Sequence, residues 1–290
     1  MIHLTVASNA IHLEAARRLR DGLIPGSRGL ELLLWEPQRF SLTSADRCRW
    51  PLRLPARPLS YLLLAPWALL GLVRELRLAH RSGAGAGLRL LLARAQRLCL
   101  LDDGLDQYRA WPKAVEPQSF PAGIDCWLFS DAPAWRAPWC GRFRCRELGP
   151  LFALPPAAPG RPRAAGAGTA TLPTQGTLII DSPGVERLEG QAASFPLPWC
   201  LMPHPVRAKR SWQLPLAAGD TCLQGPPEDV LPVWRGTVVV GESLMLLAAL
   251  RLCPPGASLV VALPLSVDGH LRSCVAAEAA QRPLIHLAGA

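Results

Sequence analysis

Four short stretches of this chain carry residue types that could do chemistry together. In "RLCLLDDGLDQYR", residues 97 to 109, an apolar run ends in Asp102 and Asp103, with Gly104 able to turn sharply behind them. Neighbouring side chains on an extended segment point opposite ways, so one carboxylate is expected to face a cleft and the other to brace the turn. A cleft-facing acid suits removal of a proton from a hydroxyl. The plainer alternative is that both acids form an Asx-type turn or cap a helix. In "CLMPHPVRAKR", residues 200 to 210, His204 stands between Pro203 and Pro205, and Arg207, Lys209 and Arg210 follow. A stiffened histidine amid cations suits a phosphate, as donor or general acid. With thirty prolines and six histidines, a His-Pro pair can also arise by chance. In "TVVVGESLMLLAALRL", residues 237 to 252, an apolar strand runs into Gly241, Glu242 and Ser243 and then a helix. The free N–H groups and dipole at such a helix start favour phosphate, although an ordinary serine N-cap has the same look. In "GPPEDVLPVW", residues 225 to 234, Glu228 could accept hydrogen bonds from ribose hydroxyls or simply begin a helix.

All four stretches fall where strands end, and the surrounding pattern explains how. Before residue 155, strands are expected at 2–6, 30–35, 97–102 and 125–130, and helices at 10–22, 59–80 and 84–96. After residue 176, strands are expected at 177–181, 199–202, 237–241, 258–263 and 284–287, with helices at 243–252 and 270–281. Short apolar strands that do not alternate, separated by helices, argue for parallel sheets covered on both faces. Residues 156–175, rich in proline, glycine and alanine, read as a linker between a domain at 1–155 and one at 176–290. In such α/β domains ligands sit just beyond the carboxyl ends of the strands.

The bulk numbers narrow the class. Half of the 290 residues are apolar, which excludes a disordered chain. The net charge of +9 comes almost wholly from arginine, since Lys113 and Lys209 are the only lysines. That charge reflects compositional bias or an anionic partner such as a sugar nucleotide or a lipid surface. The arginines are scattered and no nucleic-acid reader motif is present, so no nucleic acid is expected as partner. Nine cysteines, odd in number and without a CxxC pair, give little support to a zinc site and suggest a reducing compartment. The start, "MIHLTVASNAIHLEAARRLR", reads as strand, turn and helix rather than a signal peptide. The apolar stretch "LSYLLLAPWALLGLV", residues 59–73, is short for a membrane span. A buried core helix is the favoured reading. The alternative is a helix lying on a membrane face, with flanking Arg53, Arg57, Arg74, Arg77 and Arg81 on phosphates.

The order of these motifs resembles that of the bacterial sialyltransferases, meaning the lipooligosaccharide sialyltransferases of glycosyltransferase family 52 and the capsular polysialyltransferases. The matching residues are Asp102-Asp103-Gly104 with Tyr108, His204-Pro205 and Ser243, together with "GTLIIDSP" and "PPEDVLP". The resemblance covers most of the chain in order, through short motifs. It implies an α/β, GT-B-like fold: two Rossmann-like domains with parallel sheets facing a central cleft, the first on the acceptor side and the second binding the donor nucleotide. It implies an inverting, metal-independent transfer of sialic acid from a CMP-sugar to a hydroxyl of a cell-surface glycan or glycolipid. No cofactor is then expected, and the location would be cytoplasmic, either free or peripheral on the inner face of the membrane. Carried over, Asp103 would be the base, His204 with Pro205 would meet the donor phosphate, Ser243 and Gly241 would hold that phosphate, and Glu228 would hold the ribose. Two positions depart from the family pattern. Glu242 stands where a hydroxyl residue is frequent, and Met202 where a lysine is common. The donor therefore stays open among sialic acid, other nonulosonic acids and Kdo.

Two rival readings stand beside this one: a GT-B enzyme using another nucleotide sugar, and a non-catalytic basic protein that binds anionic glycans or a membrane surface. In "CWLFSDAPAWRAPWC", residues 126–140, Trp135 and Trp139 are the candidates for stacking on an acceptor sugar, and Trp127 is assigned to the core.

Overall fold

The computed structural model describes residues 1–22, 29–79, 86–102, 124–152, 174–203, 210–217, 219–223, 227–267 and 269–288. The chain forms two compact units, Met1–Gly149 and Pro150–Ala290. The described part of each is built on one parallel sheet.

The first unit runs β1 (Ile2–Ala7), α1 (Ala10–Asp21), β2 (Leu30–Trp35), α2 (Ser44–Arg49), β3 (Leu52–Pro55), α3 (Pro58–Leu69) and β4 (Val73–Leu78). It continues through α4 (Ala86–Arg94), β5 (Arg97–Leu101), β6 (Asp125–Leu128), α5 (Ala137–Cys140) and β7 (Arg144–Glu147). The strand order is β3-β2-β1-β4-β5-β6-β7. The chain thus winds outward one way from β1, then returns to its other side and winds the opposite way, as Rossmann-like sheets do. All six residues of β1 are buried, the pattern of a strand covered on both faces. Asn9 starts α1 by accepting the His12 N–H, and Arg18 and Arg20 in its last turn complement the helix dipole. Thr43 and Asp46 form a reciprocal capping box at the start of α2. Leu64 and Ala68 of α3, with Leu88 and Leu91 of α4, pack on Leu4, Leu76 and Leu78.

The expected helix over 59–80 is corrected. Helix α3 stops at Leu69, Gly71 turns the chain at φ +68°, and β4 follows at once. Leu76 and Leu78 face the core under α3, while Glu75 and Arg77 alternate to the other face of the sheet. There Arg77 is fully buried, its Nε 2.5 Å from Glu75 Oε1 and its Nη1 3.0 Å from Glu31 Oε2. Arg77 is therefore a core ion-pair residue and no part of a lipid-facing flank. Burial, and then Arg77, hold the neighbouring His3 below the usual histidine pKa.

The second unit runs β8 (Thr177–Ile180), a 3-10 segment (Val185–Ser194), β9 (Trp199–Met202), β10 (Thr221–Cys222), α6 (Pro227–Val230) and β11 (Thr237–Val240). It closes with α7 (Leu244–Leu252), β12 (Ser258–Val261), α8 (Gly269–Gln281) and β13 (Ile285–Leu287). The order β10-β9-β8-β11-β12-β13 repeats the outward-and-back winding of the first unit, with every pairing parallel. Among the described residues no helix is long and apolar enough to cross a membrane.

Candidate functional site

In a sheet wound this way, the crevice opens where neighbouring strands send their chains in opposite directions. In the second unit that point lies between β8 and β11, and the residues just past their ends are Asp181–Gly184 and Gly241–Ser243. Ser182 joins the two ends. Its Oγ donates to Ile180 O at 2.8 Å and accepts the Gly241 N–H at 2.7 Å. The Glu242 N–H reaches Pro183 O at 2.7 Å. The approach is close enough to demand glycine. A Cβ on Gly241 would lie 2.1 Å from Pro183 O, and one on Gly184, at φ +103°, would lie 2.1 Å from Ala262 O.

Ser243 follows this junction as the N-cap of α7, its Oγ accepting the Met245 N–H at 3.1 Å. It is partly exposed, and the first N–H groups of a helix have no intrahelical partner. The feature assigned from sequence, a serine-capped helix after a glycine at a strand end, is present at the switch point. One residue that the sequence reading overlooked is Asp181. Its Oδ1 accepts the N–H groups of Ser211 (2.8 Å) and Trp212 (2.9 Å), tying the chain beyond the 204–209 stretch back to the end of β8. The signal was present in "IIDSP", as an acid at the end of an apolar strand.

Asp103, Tyr108, His204, Pro205, Arg207 and Lys209 lie outside the described residues. Glu228 belongs to the short helix α6, and its side chain also lies outside them. Asp102 is described: fully buried, its Oδ2 accepts the Phe129 N–H at 2.8 Å, which makes it the bracing acid of the Asp-Asp pair. Met202 is buried in β9. The stacking assignment is overturned. Trp135 and Trp139 are both buried, Trp139 against Phe143 with ring centres 5.2 Å apart, so neither offers a face to a sugar. Trp127, assigned to the core, is instead partly exposed, with the Arg146 guanidinium 5.6 Å above its ring.

At the switch point of the first unit, β1 leads into α1 through Ser8 and Asn9. The buried His12 accepts the Ser8 N–H on Nδ1 at 3.1 Å, and its Nε2 lies 3.1 Å from Asn9 Nδ2. A cavity of about 290 Å³ opens at the opposite, amino-terminal edge of this sheet, lined by Arg97, Asp125, Arg144 and Arg146 among others. Asp125 bonds to Arg97, to Arg146 Nε at 3.1 Å, and lies 3.6 Å from Arg144 Nη1. Burial pushes the Asp125 carboxyl up, but the hydrogen bonds from Arg97 and Arg146 outweigh it and hold the pKa below the usual range. No family model matches this chain, and no curated protein matches it. Among the described residues no group of three His, Cys, Asp or Glu side chains is disposed to hold a metal ion.

Proposed function

We propose that the chain is an inverting, metal-independent glycosyltransferase of GT-B type. It moves sialic acid, or a related nonulosonic acid, from a CMP-sugar to a hydroxyl of a glycan or glycolipid, in the manner of the bacterial sialyltransferases. The observation that carries the reading is the second unit's switch point. There Gly241 brings the backbone within hydrogen-bond reach of Ser182, and Ser243 opens a nine-residue helix. The Gly241 and Glu242 N–H groups are committed to Ser182 and Pro183, so the phosphate is suited to that place by the positive end of the α7 dipole and the partly exposed Ser243 hydroxyl. Two parallel α/β units in tandem, both wound in the dinucleotide-binding order, support the GT-B assignment.

In this reading the acceptor oxygen attacks the anomeric carbon as its proton passes to Asp103. The bond from that carbon to the CMP phosphate breaks, and its electron pair leaves on the phosphate oxygen. His204, beside Pro205, meets that charge, while Ser243 and the start of α7 hold the phosphate and Glu228 holds the ribose. A histidine and a helix N-terminus suit a leaving group that gains charge as it departs. The anomeric centre is tertiary and breaks with oxocarbenium character, so a carboxylate near the acceptor oxygen serves both as base and as electrostatic stabiliser.

Calorimetry with CMP, UMP and GMP on wild type, Ser243→Ala and His204→Ala tests the reading. CMP binds best, and each substitution weakens it by about tenfold, the worth of one charge-assisted contact. Equal affinity for the three nucleotides would rule out a CMP-sugar donor. Full binding by both variants would remove the phosphate site from α7 and from the His-Pro pair.

A further inference from the structure

Helix α3 presents to solvent a face that no ordinary surface helix carries. Ser60, Leu64 and Ala68 point into the unit, with Ser60 Oγ anchored on Pro55 O at 2.6 Å. On its Tyr61 side α3 meets α4 so closely that a Cβ on Gly87 would lie 2.6 Å from Tyr61 Cβ. At 100° per residue, positions 59, 62, 63, 66, 69 and 70 fall on one outward arc of about 120°. Those positions are Leu59, Leu62, Leu63, Pro66, Leu69 and Leu70, with no polar residue among them. The five leucines are between 56% and 73% exposed. A surface helix usually turns charged residues to this side, and contiguous exposed apolar area marks an interaction site.

The charge around the arc selects the partner. From Arg47 to Leu101 the chain carries ten arginines and a single carboxylate, Glu75. Glu75 is buried on the far face of the sheet, bonded to Arg77. The elements β3, α3, β4 and α4 therefore offer solvent no carboxylate among their described residues, while Arg57, Arg74, Arg89 and Arg94 are exposed. Glu36, whose charge reaches Tyr61 of α3, is paired with Arg39 Nε at 2.8 Å, so a leucine arc that starts beside Arg57 and has these further arginines on its neighbouring elements fits a surface that is apolar inside and anionic outside. At twelve residues α3 is too short to span a bilayer, but it can lie in the headgroup region with its leucines in the acyl boundary.

We propose that α3 docks the first unit onto an anionic lipid bilayer, with the arc from Leu59 to Leu70 entering the interface and the arginines meeting lipid phosphates. The docking does not rest on the donor-site reading, since its residues belong to the first unit and the donor residues to the second.

Vesicle co-sedimentation tests it, using phosphatidylcholine vesicles with and without phosphatidylglycerol. The proteins are wild type, Leu62→Gln/Leu63→Gln and Arg57→Gln/Arg89→Gln, each checked by circular dichroism. All four positions are exposed, and the circular dichroism spectrum of each variant should match that of wild type. Wild type pellets with the phosphatidylglycerol vesicles and far less with phosphatidylcholine alone. The leucine pair lowers the partition coefficient by about tenfold or more, and the arginine pair by several-fold, chiefly at low salt. Unchanged binding by the leucine pair would overturn the proposal, as would no sedimentation of wild type. A wild-type dimer in light scattering that becomes monomeric in the leucine pair would overturn it too, giving the arc to a second copy of the chain. CMP binding by the same variants is read separately, so its loss or absence bears on the donor reading alone.

Discussion

Gly241 donates its N–H to the Oγ of Ser182 across 2.7 Å, so one side chain fastens the two strand ends that define the second unit's switch point. Both residues are buried, and Ser182 also donates to Ile180 O. Ser182→Ala therefore leaves a buried N–H without its acceptor and a carbonyl without its donor. The expected loss is about 1–3 kcal/mol, read as a lower urea midpoint at unchanged slope. An unmoved midpoint would mean that the junction is held by the backbone alone.

The glycines at this junction make a sharper demand. Gly184→Ala combines φ +103° with a Cβ placed 2.1 Å from Ala262 O. The expected cost is about 3 kcal/mol or more, from strain and steric conflict together. Gly190→Ala is the matched control. It lies in the 3-10 segment with nothing within 4 Å of an added Cβ, and its change should stay within about 1 kcal/mol of zero. Equal thermal shifts for the two variants would contradict the packing at the end of β8.

Much of this architecture was legible in the sequence because the central strands are buried on both faces and read as plain apolar runs. β1, β2, β9 and β11 sit where those runs lie. The strands that escaped detection carry charges or are very short. β4, "VRELRL", holds Glu75 and Arg77, whose pairing inside the sheet is invisible until β2 and β1 are placed beside them. β7, "RCRE", is largely polar, and β10 has two residues. Helix α3 misled in the other direction. An all-round apolar helix suggests burial from every side, and only the fold shows that Leu59, Leu62 and Leu63 face outward. The tryptophans fared alike, since exposure within the 133–140 turns depends on Phe143 and the sheet beneath. In the donor region the strand-glycine-serine pattern marked the junction because a close backbone approach and a helix cap each have a strong residue preference. Ser182 carried no such signal, because its role depends on a partner 59 residues away.

The pairing of Asp46 with Arg17 sets a pH dependence. Arg17 grips the carboxylate with Nε and Nη2, each at 2.7 Å, and Thr43 adds its N–H at 2.8 Å and its hydroxyl at 2.6 Å. Burial would raise the pKa of Asp46, but the bonds from Arg17 and then Thr43 outweigh it and bring the value down to about 2. A carboxyl depressed in the folded state stabilises above its unfolded pKa, and that contribution is lost as pH falls through the folded value. Asp46→Asn should therefore cost about 2 kcal/mol at neutral pH. The gap between wild type and variant should close between about pH 4 and pH 2. Urea titrations across that range check it, and a gap independent of pH would assign the cost to the capping bonds rather than to the charge.

Cys126 and Cys145 are register partners on β6 and β7, and Cys140 ends α5 close by. Hydrogen bonds from Cys126 and then Cys140 hold the partly exposed Cys145 down to about 7, against the opposing effect of its own burial. Cys99 and Cys253 are pushed up to about 12, chiefly by burial. The thiolate is the reactive form, so iodoacetamide at neutral pH should modify Cys145 well before Cys99 or Cys253. The rate at Cys145, followed by mass spectrometry, should rise through a midpoint near pH 7. Cys126→Ala removes the strongest of the bonds that favour the thiolate, and the midpoint should then move upward. A midpoint near 8.5, the ordinary value for an unperturbed thiol, or one indifferent to Cys126, would show that the three sulfurs do not act together.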